Sequence, residues 1–509
     1  MTKKGQHIMK NIKTTVLVLA ICLVFASCSS GGADQGGGDA ETTETTEQSD
    51  TQNDGEAATE RIYPDLAAVD YGGHEFTFLA RTINHADWAE WDHRDLYAEE
   101  LNGDVINDAV FNRNKKIEEK YNIAIKQIIV ENPQVEALLL KSVKAGDDIY
   151  DVVCPHFVQF PAVAQAGNYV DFFTVPCLDL TRPWWNQGII RDLSIIGKLF
   201  IMQGDLLILD NDAMEAMIFN KKLHRENELE NLYDTVKKGE WTFDKLISMS
   251  KGISKDLNGD GKMYIKDDLF GCILQSAVSN SFIVSGGEKI CGKDENDYPI
   301  ITFGSERCYR IMDAISELML DEDNVVNLHR YEGKFPVYDE QVKMMEENRA
   351  LFSWIRMRIV ERLRGMETDF GILPLPKLDK NQPNYITHND PHAGVGLSIP
   401  VTASDLERTG MILEDLAAES RYTLQPAYYE INLRGKFTRD DESQEMLDII
   451  LGSSAYDIGY VYDFGNFAMG TILHSGRDKK SEFASPFEKA RDKMQRDIDK
   501  TVAAYEKLD

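Results

Sequence analysis

Positive charge is scarce in these 509 residues: 55 Lys and Arg stand against 85 Asp and Glu, a formal charge of −30. Capture of nucleic acid or of an anionic membrane surface relies on clustered lysine and arginine, so both are disfavoured as main partners. Cysteine is sparse too, seven in all, with Cys22 and Cys28 close to the start. The other five (Cys154, Cys177, Cys272, Cys291 and Cys308) are odd in number and lack CxxC spacing, which argues against zinc and against a disulfide framework. Buried free thiols are the simpler reading. No apolar run is long enough to span a bilayer as a mature helix. Catalytic signatures are missing as well: there is no GxSxG, no HExxH and no Walker A, and the GDGK at Gly259–Lys262 lacks the spaced glycine and the following Ser or Thr. His388 and His392 are four apart, but Asn389-Asp390-Pro391 breaks any helix that would pair them on a metal. What remains is the composition of a folded body, 43% hydrophobic and 28% charged, long enough for two domains or one two-lobed unit.

The start reads as a leader. Lys3, Lys4, Lys10 and Lys13 precede an apolar stretch, Val16 to Phe25, and then the small pair Ala26-Ser27. Cys28 and SSGGADQGGG follow, which resembles a bacterial lipoprotein signal with Cys28 as the lipidated residue. Phe25 stands where that pattern usually has Leu, and an ordinary secretory signal is the alternative. Residues 1–27 are thus expected to be removed, and 28–60 to form a lipidated tether. Ser29 to Glu60 contains no aromatic and no Leu, Ile, Val or Met, so it cannot bury enough surface to offset its chain entropy. Flexible-chain scaling gives it a reach of roughly 30 Å. The expected location is outside the cytoplasm, anchored to the bacterial cell membrane.

Folded sequence begins near Arg61. Glu75–Arg81 and Ile123–Val130 read as strands, Asp104–Tyr121 and Pro133–Lys144 as helices, and Ile149–Cys154 as a third strand. That alternation marks an α/β unit with a mostly parallel sheet, which binds ligands at the carboxyl ends of its strands. Further on, Trp241–Lys251 reads as a helix with Thr242 as N-cap, and Asp313–Leu320, Asp405–Ser420, Ser443–Leu451 and Pro486–Leu508 also read as helices. FGILPLPK, Phe370 to Lys377, reads as a short strand entering a proline-stiffened loop.

Asp256 to Asp268, DLNGDGKMYIKDD, has calcium-loop spacing. Asp256, Asn258 and Asp260 take positions 1, 3 and 5, Gly261 the sharp turn, Lys262 a backbone carbonyl, and Asp267 position 12. An EF-hand has the longer Glu there, and the following LFGCILQS reads as a strand. A structural Ca²⁺ stapling a surface loop is therefore expected rather than a signalling switch.

Several segments taken together resemble one family: NDAVFNRNKKIEEKYNI, DIYDVV, GKLFIMQGD, MIFNKKL, GEWTFDKL, GILPLPK and AGVGLSIP. In this order they resemble the extracellular solute-binding proteins of ABC importers, in the maltose and oligosaccharide subgroup. The resemblance covers nearly all of residues 61–509. It implies an α/β, two-lobed periplasmic-binding-protein-like fold of type II, each lobe a mostly parallel sheet flanked by helices, joined by hinge segments. The lobes implied are 61–212 with 393–450, and 213–392 with 451–509, with chain crossings near Asp212–Met217, His392–Leu397 and Leu451–Asp457. Implied partners are a small carbohydrate and the ABC permease subunits, with the membrane touched only through the lipid anchor. No covalent chemistry and no required cofactor are implied, and the chain is expected to be a monomer.

Sugars present flat C–H faces ringed by hydroxyls, so their sites pair aromatic platforms with carboxylates, amides and Arg. Trp354 matches the family's tryptophan in LFSW and is the leading candidate. Trp91 (with Trp88), Trp184, Trp185, Tyr460 and Tyr462 (with Phe464) are others, and adjacent Trp184 and Trp185 should not both face a cleft. Polar candidates are Asp212 and Arg356, with Asp92, Asp210 and Asn389. Two rival readings stay open, an extracellular glycoside hydrolase with a calcium-stiffened loop and a carbohydrate-binding adhesion module. A carbohydrate or oligosaccharide is the expected solute, with a peptide, amino-sugar or other polar molecule as the alternative.

Overall fold

The computed structural model describes residues 61–82, 93–131, 134–434, 441–473 and 483–508, and Arg61–Asp509 form one compact unit. Strand β1 (His74–Thr82) leads to helix α1 (Val105–Tyr121), strand β2 (Ile123–Glu131), helix α2 (Gln134–Ala145) and the two-residue strand β3 (Val152–Val153). These strands form an all-parallel sheet in the order β2-β1-β3. Phe76 to Arg81 of β1 are all buried, as a central strand covered on both faces requires. Asp104 caps α1 by accepting the N–H of Asn107, and Asn122 ends it in the left-handed conformation.

The second half continues with β4 (Glu215–Asn220), α3 (Phe243–Lys251), β5 (Phe270–Leu274), α4 (Val278–Ser285), the hairpin β6 (Cys291–Lys293) and β7 (Pro299–Ile301), α5 (Glu306–Leu320) and β8 (Val325–Asn327). Helix α6 (Val337–Glu346), β9 (Ala350–Arg356) and β10 (Phe370–Leu373) complete a five-stranded sheet, β10-β4-β9-β5-β8. Only β4 runs against the other four strands. Thr242 does cap α3, accepting the N–H of Lys245. The chain closes with β11 (Thr387–His388), α7 (Leu406–Tyr422), α8 (Leu424–Arg434), α9 (Asp441–Gly452), β12 (Ser454–Ala455) and α10 (Ala484–Tyr505).

Three extended segments meet between the two sheets. β11 pairs with β12 in parallel, Met214 bridges to Asn389, and Asn389 N–H donates to Ala455 O at 3.2 Å. Beyond this ladder the chain joins the first sheet, where Ser398 pairs with Val153 and Leu397 with Met202. Two of the meeting segments fall within expected crossings, and the third lies a few residues before His392. Helices α7 and α8 pack on α1, but α9 packs on β10 and on the helix Leu232–Lys237. There Tyr233 and Ser443 share a hydroxyl hydrogen bond of 2.9 Å. Packing thus assigns α9 to the second sheet, although residues up to 450 were expected with the first. Helix α10 touches both halves: Tyr505 meets Phe200 edge-on at 4.9 Å, and Asp497 accepts the N–H of Gly465.

Candidate functional site

Polar side chains with unused hydrogen-bonding atoms gather at the carboxyl ends of both sheets. Near the end of β1 stands Arg81, whose guanidinium is fully buried: Nη2 donates to Ala393 O at 2.9 Å, while Nε and Nη1 have no partner. Burial draws its pKa down to about 9 against the support of Glu136. Glu136, in the first turn of α2, has no side-chain hydrogen-bond partner, and burial raises its pKa against the lowering by its own N–H and that of His156. His156, just beyond β3, meets His392 O with Nε2 at 3.0 Å. A carbonyl only accepts, so that nitrogen carries the proton.

The second sheet contributes Trp354 and Arg356 from the end of β9. Trp354 is buried with its Nε1 unpartnered, and the Arg356 guanidinium lies 5.1 Å from its ring centroid. Arg356 also donates to Asp390 from Nε at 2.7 Å. Burial alone would raise Asp390, but Arg356, His392 and His388 hold it down at about 2. His388 stacks on Tyr460 at 5.6 Å and meets Glu215 Oε2 with Nδ1 at 3.3 Å, which leaves His388 Nε2 and Glu215 Oε1 free. Asn280, in α4, adds a buried amide beside the Tyr460 hydroxyl. Buried polar atoms without partners cost about 1–3 kcal/mol each, so such a concentration describes a surface made to be completed. Three open cavities lie elsewhere and do not include this cluster.

Of the residues expected from sequence, Trp354, Arg356 and Tyr460 come together here. Tyr462 is engaged in packing: its hydroxyl meets that of Tyr505 at 2.6 Å and its ring stacks on Phe464. Trp184 and Trp185 are buried, and both indole N–H groups donate to Glu414, at 3.2 and 2.8 Å. Gly204 backs them, since a Cβ there would stand 2.4 Å from Trp184 O. Asp212 belongs to a separate charged group. It accepts from Tyr428 Oη at 3.0 Å and lies 3.7 Å from both Arg94 and Arg358. Glu361 joins the same two arginines at 2.5 and 3.1 Å. Trp88, Trp91 and Asp92 lie outside the described residues, as does Cys28. Arg81, Glu136, His156, Glu215 and Asn280 are not among the residues expected from the sequence. The available signal was a charged residue inside an otherwise apolar strand, as in EFTFLAR and EAMIFN.

The Asp256 loop folds as its spacing suggests in its first half. Asp256 accepts the N–H groups of Gly259 and Gly261, Asn258 that of Asp260, and Asp260 that of Lys262. Gly259 and Gly261 take φ of 74° and 78°, which favours glycine. Lys262 and Asp267 are exposed. The carboxylate folded against the loop is instead that of Asp268, which accepts from Leu257 and Tyr264 N–H at 2.9 and 2.8 Å. The strand β5 follows, as expected. Among the described residues no group of three His, Cys, Asp or Glu side chains is placed to hold a metal ion. The oxygen-rich donors of positions 1, 3 and 5 suit a hard cation; the twelfth position fits less well.

No family model matches the sequence, and no curated protein does. Solved structures match in fold. A cyclo/maltodextrin-binding protein complexed with maltotetraose is 12% identical, over 85% of this chain and 99% of that one, at a TM-score of 0.53. Maltose-binding periplasmic protein from Listeria monocytogenes, in complex with maltose, is 12% identical over 84% and 98%, at 0.51. An ABC substrate-binding protein from the same organism, in complex with cycloalternan, is 13% identical over 85% and 99%, at 0.50. Identity this low speaks for architecture alone. The chain therefore has the two-lobed α/β fold of type II periplasmic binding proteins that these solute-binding proteins share.

Proposed function

We propose that this chain is the substrate-binding subunit of an ABC importer, holding a carbohydrate or oligosaccharide between its lobes and passing it to a membrane permease. The observation that carries the reading is the set of buried side chains with unused hydrogen-bonding atoms drawn from both halves: Arg81 and Glu136 from the first, Trp354, Glu215 and His388 from the second. Each hydroxyl of a sugar both donates and accepts, so a polyol can satisfy an unpaired guanidinium and an unpaired carboxylate in turn. The indole and the Tyr460 ring offer flat faces for its C–H groups. Glucan ligands in the three solved relatives are consistent with this class. Capture by hinge closure fits a site with contacts from both halves. On this reading the chain is a binder rather than an enzyme, works as a monomer, and needs no cofactor, with Ca²⁺ a structural accessory of the Asp256 loop. Cys28 carries the lipid that holds it to the cell membrane.

Calorimetry against a panel of oligosaccharides and peptides tests the assignment. Saturable binding of a sugar without release of shorter products is expected, and Trp354→Phe, which keeps the ring but removes the N–H, should weaken it by about tenfold or more. Hydrolysis products would favour a glycosidase, and a peptide ligand with no sugar response would overturn the carbohydrate class. For the anchor, palmitate labelling should be present in the intact chain and lost in Cys28→Ser.

A further inference from the structure

The ladder between the sheets has two faces. Successive residues of an extended segment point to opposite sides. Glu215, His388 and Asp390 belong to the polar cluster described above. Met214 and Asn389, each one residue displaced, belong to the other side, where the Asn389 amide donates to Asp210 O at 2.9 Å. On that side lies a cavity of about 270 Å³ whose wall includes Asp210, Met214, Asn186, Gln187 and Ser454. It shares Asp205, Asn211 and Gln425 with an outer cavity of about 570 Å³, which has Tyr429 and Asp448 on its border.

Asp210 is the unusual member. It is 5% exposed, and its carboxylate accepts one hydrogen bond, from the N–H of the next residue at 2.8 Å. No Lys, Arg or His among the described residues forms an ion pair with it. Neighbouring acids are provided for. Asp205 has Arg421 at 3.0 Å, Asp95 has His93 at 3.1 Å, and Asp212 has Arg94, Arg358 and Tyr428. Arg191, the base on the inner wall, is taken by Asp192 at 2.6 Å. Burial raises the pKa of Asp210 well above the carboxylate range, and Asp95, Asp205 and Asp212 push it the same way. A buried carboxylate on the wall of an open cavity, with every nearby base already committed, lacks only a cation.

We infer that this cavity is a second ligand site, separate from the sugar cleft, that takes a small organic cation, an ammonium or guanidinium, with Asp210 as its ion-pair partner. A bare metal ion does not suit it, because no three metal-ligating side chains converge there. Gln187 donates through Nε2 to Leu180 O and Trp185 O, which leaves its Oε1 as an acceptor for the N–H groups of an organic cation, and the volume admits a carbon chain of a few atoms. Asp210→Asn is close to isosteric and, like the protonated acid that burial favours in the empty cavity, is neutral, so the variant should fold.

The test uses agmatine and the full chain. Because the protein carries a formal charge of −30, loose attraction of any cation is controlled with Glu317→Gln, which removes an exposed acid of α5. Calorimetry should show one saturable site, weakened about tenfold or more by Asp210→Asn and unchanged by Glu317→Gln. Binding should also survive Trp354→Phe, so loss of the sugar reading would leave this one standing. Only the ionised carboxylate pairs with a cation, so affinity should rise as pH is raised from about 4.5 to 8. The inference is overturned if agmatine does not saturate, if the two acid variants weaken it equally or not at all, or if affinity is flat with pH.

Discussion

Glu414 accepts one indole N–H on each oxygen and is buried. Burial pushes its pKa up to about 7, against the lowering by Trp185, the Asp179 N–H and Trp184. In the unfolded chain the same group titrates near 4.3, so between these values the native state binds more protons than the unfolded one. Stability from this residue is therefore greatest at low pH and falls as pH rises to about 7, by at most about 4 kcal/mol. Tryptophan fluorescence should change with a midpoint near that pH, and Glu414→Gln should abolish the transition; a midpoint unmoved by the variant would assign it elsewhere. This pair also shows what a residue-level reading of sequence can reach. Adjacent Trp184 and Trp185 were expected to diverge, yet a carboxylate some 230 residues further along the chain gathers both. Trp354 and Tyr460 were legible as aromatics beside polar residues. Arg81 and Glu136 were not, because an ordinary helix acid and a strand-end arginine become distinctive only when burial strips them of water.

Among the elements, α7 packs so tightly that one of its residues has no alternative. A Cβ on Gly410 would stand 1.9 Å from Pro176 O. Replacing glycine by alanine in an exposed helix gains roughly 1 kcal/mol. Here Gly410→Ala should instead cost about 1–3 kcal/mol, because backbone rather than a flexible side chain blocks the way. A lowered denaturant midpoint with unchanged slope would register it. The Asp256 loop allows a second prediction at this scale. If it holds Ca²⁺, adding the ion should raise the melting temperature and chelator should lower it, while Asp256→Asn should remove the response; no change with either reagent rules the clamp out. Elements with a strong period (β1, α1, β2, α2, α7, α10) were readable along the chain. β3 proved shorter than IYDVVC implied, being paired with β1 only at Val152 and Val153. The placement of α9 was not readable, since its helical period says nothing about which sheet it will meet.

For the whole molecule, the charged group of Arg94, Asp212, Arg358 and Glu361 joins the two halves, Arg94 from the first and the helix Met357–Gly365 from the second. Such a clasp favours a closed arrangement. Glu361→Gln leaves Arg94 with only the more distant Asp212, and should loosen the closed form and weaken sugar binding by about tenfold. Small-angle scattering should then show a larger radius for the variant than for the native chain without ligand, and the same radius once sugar saturates both. Equal radii throughout would deny the clasp any role in closure. The ladder between the halves has a consequence of a different kind. Because Met214 and Glu215, and likewise His388 and Asn389, serve opposite faces, the spacing of the chain here is a code read modulo two. Deleting a single residue between Thr387 and Asp390 would put the remaining side chains of the stretch on the wrong face and disturb both compartments at once, whereas a change of two residues would keep the alternation.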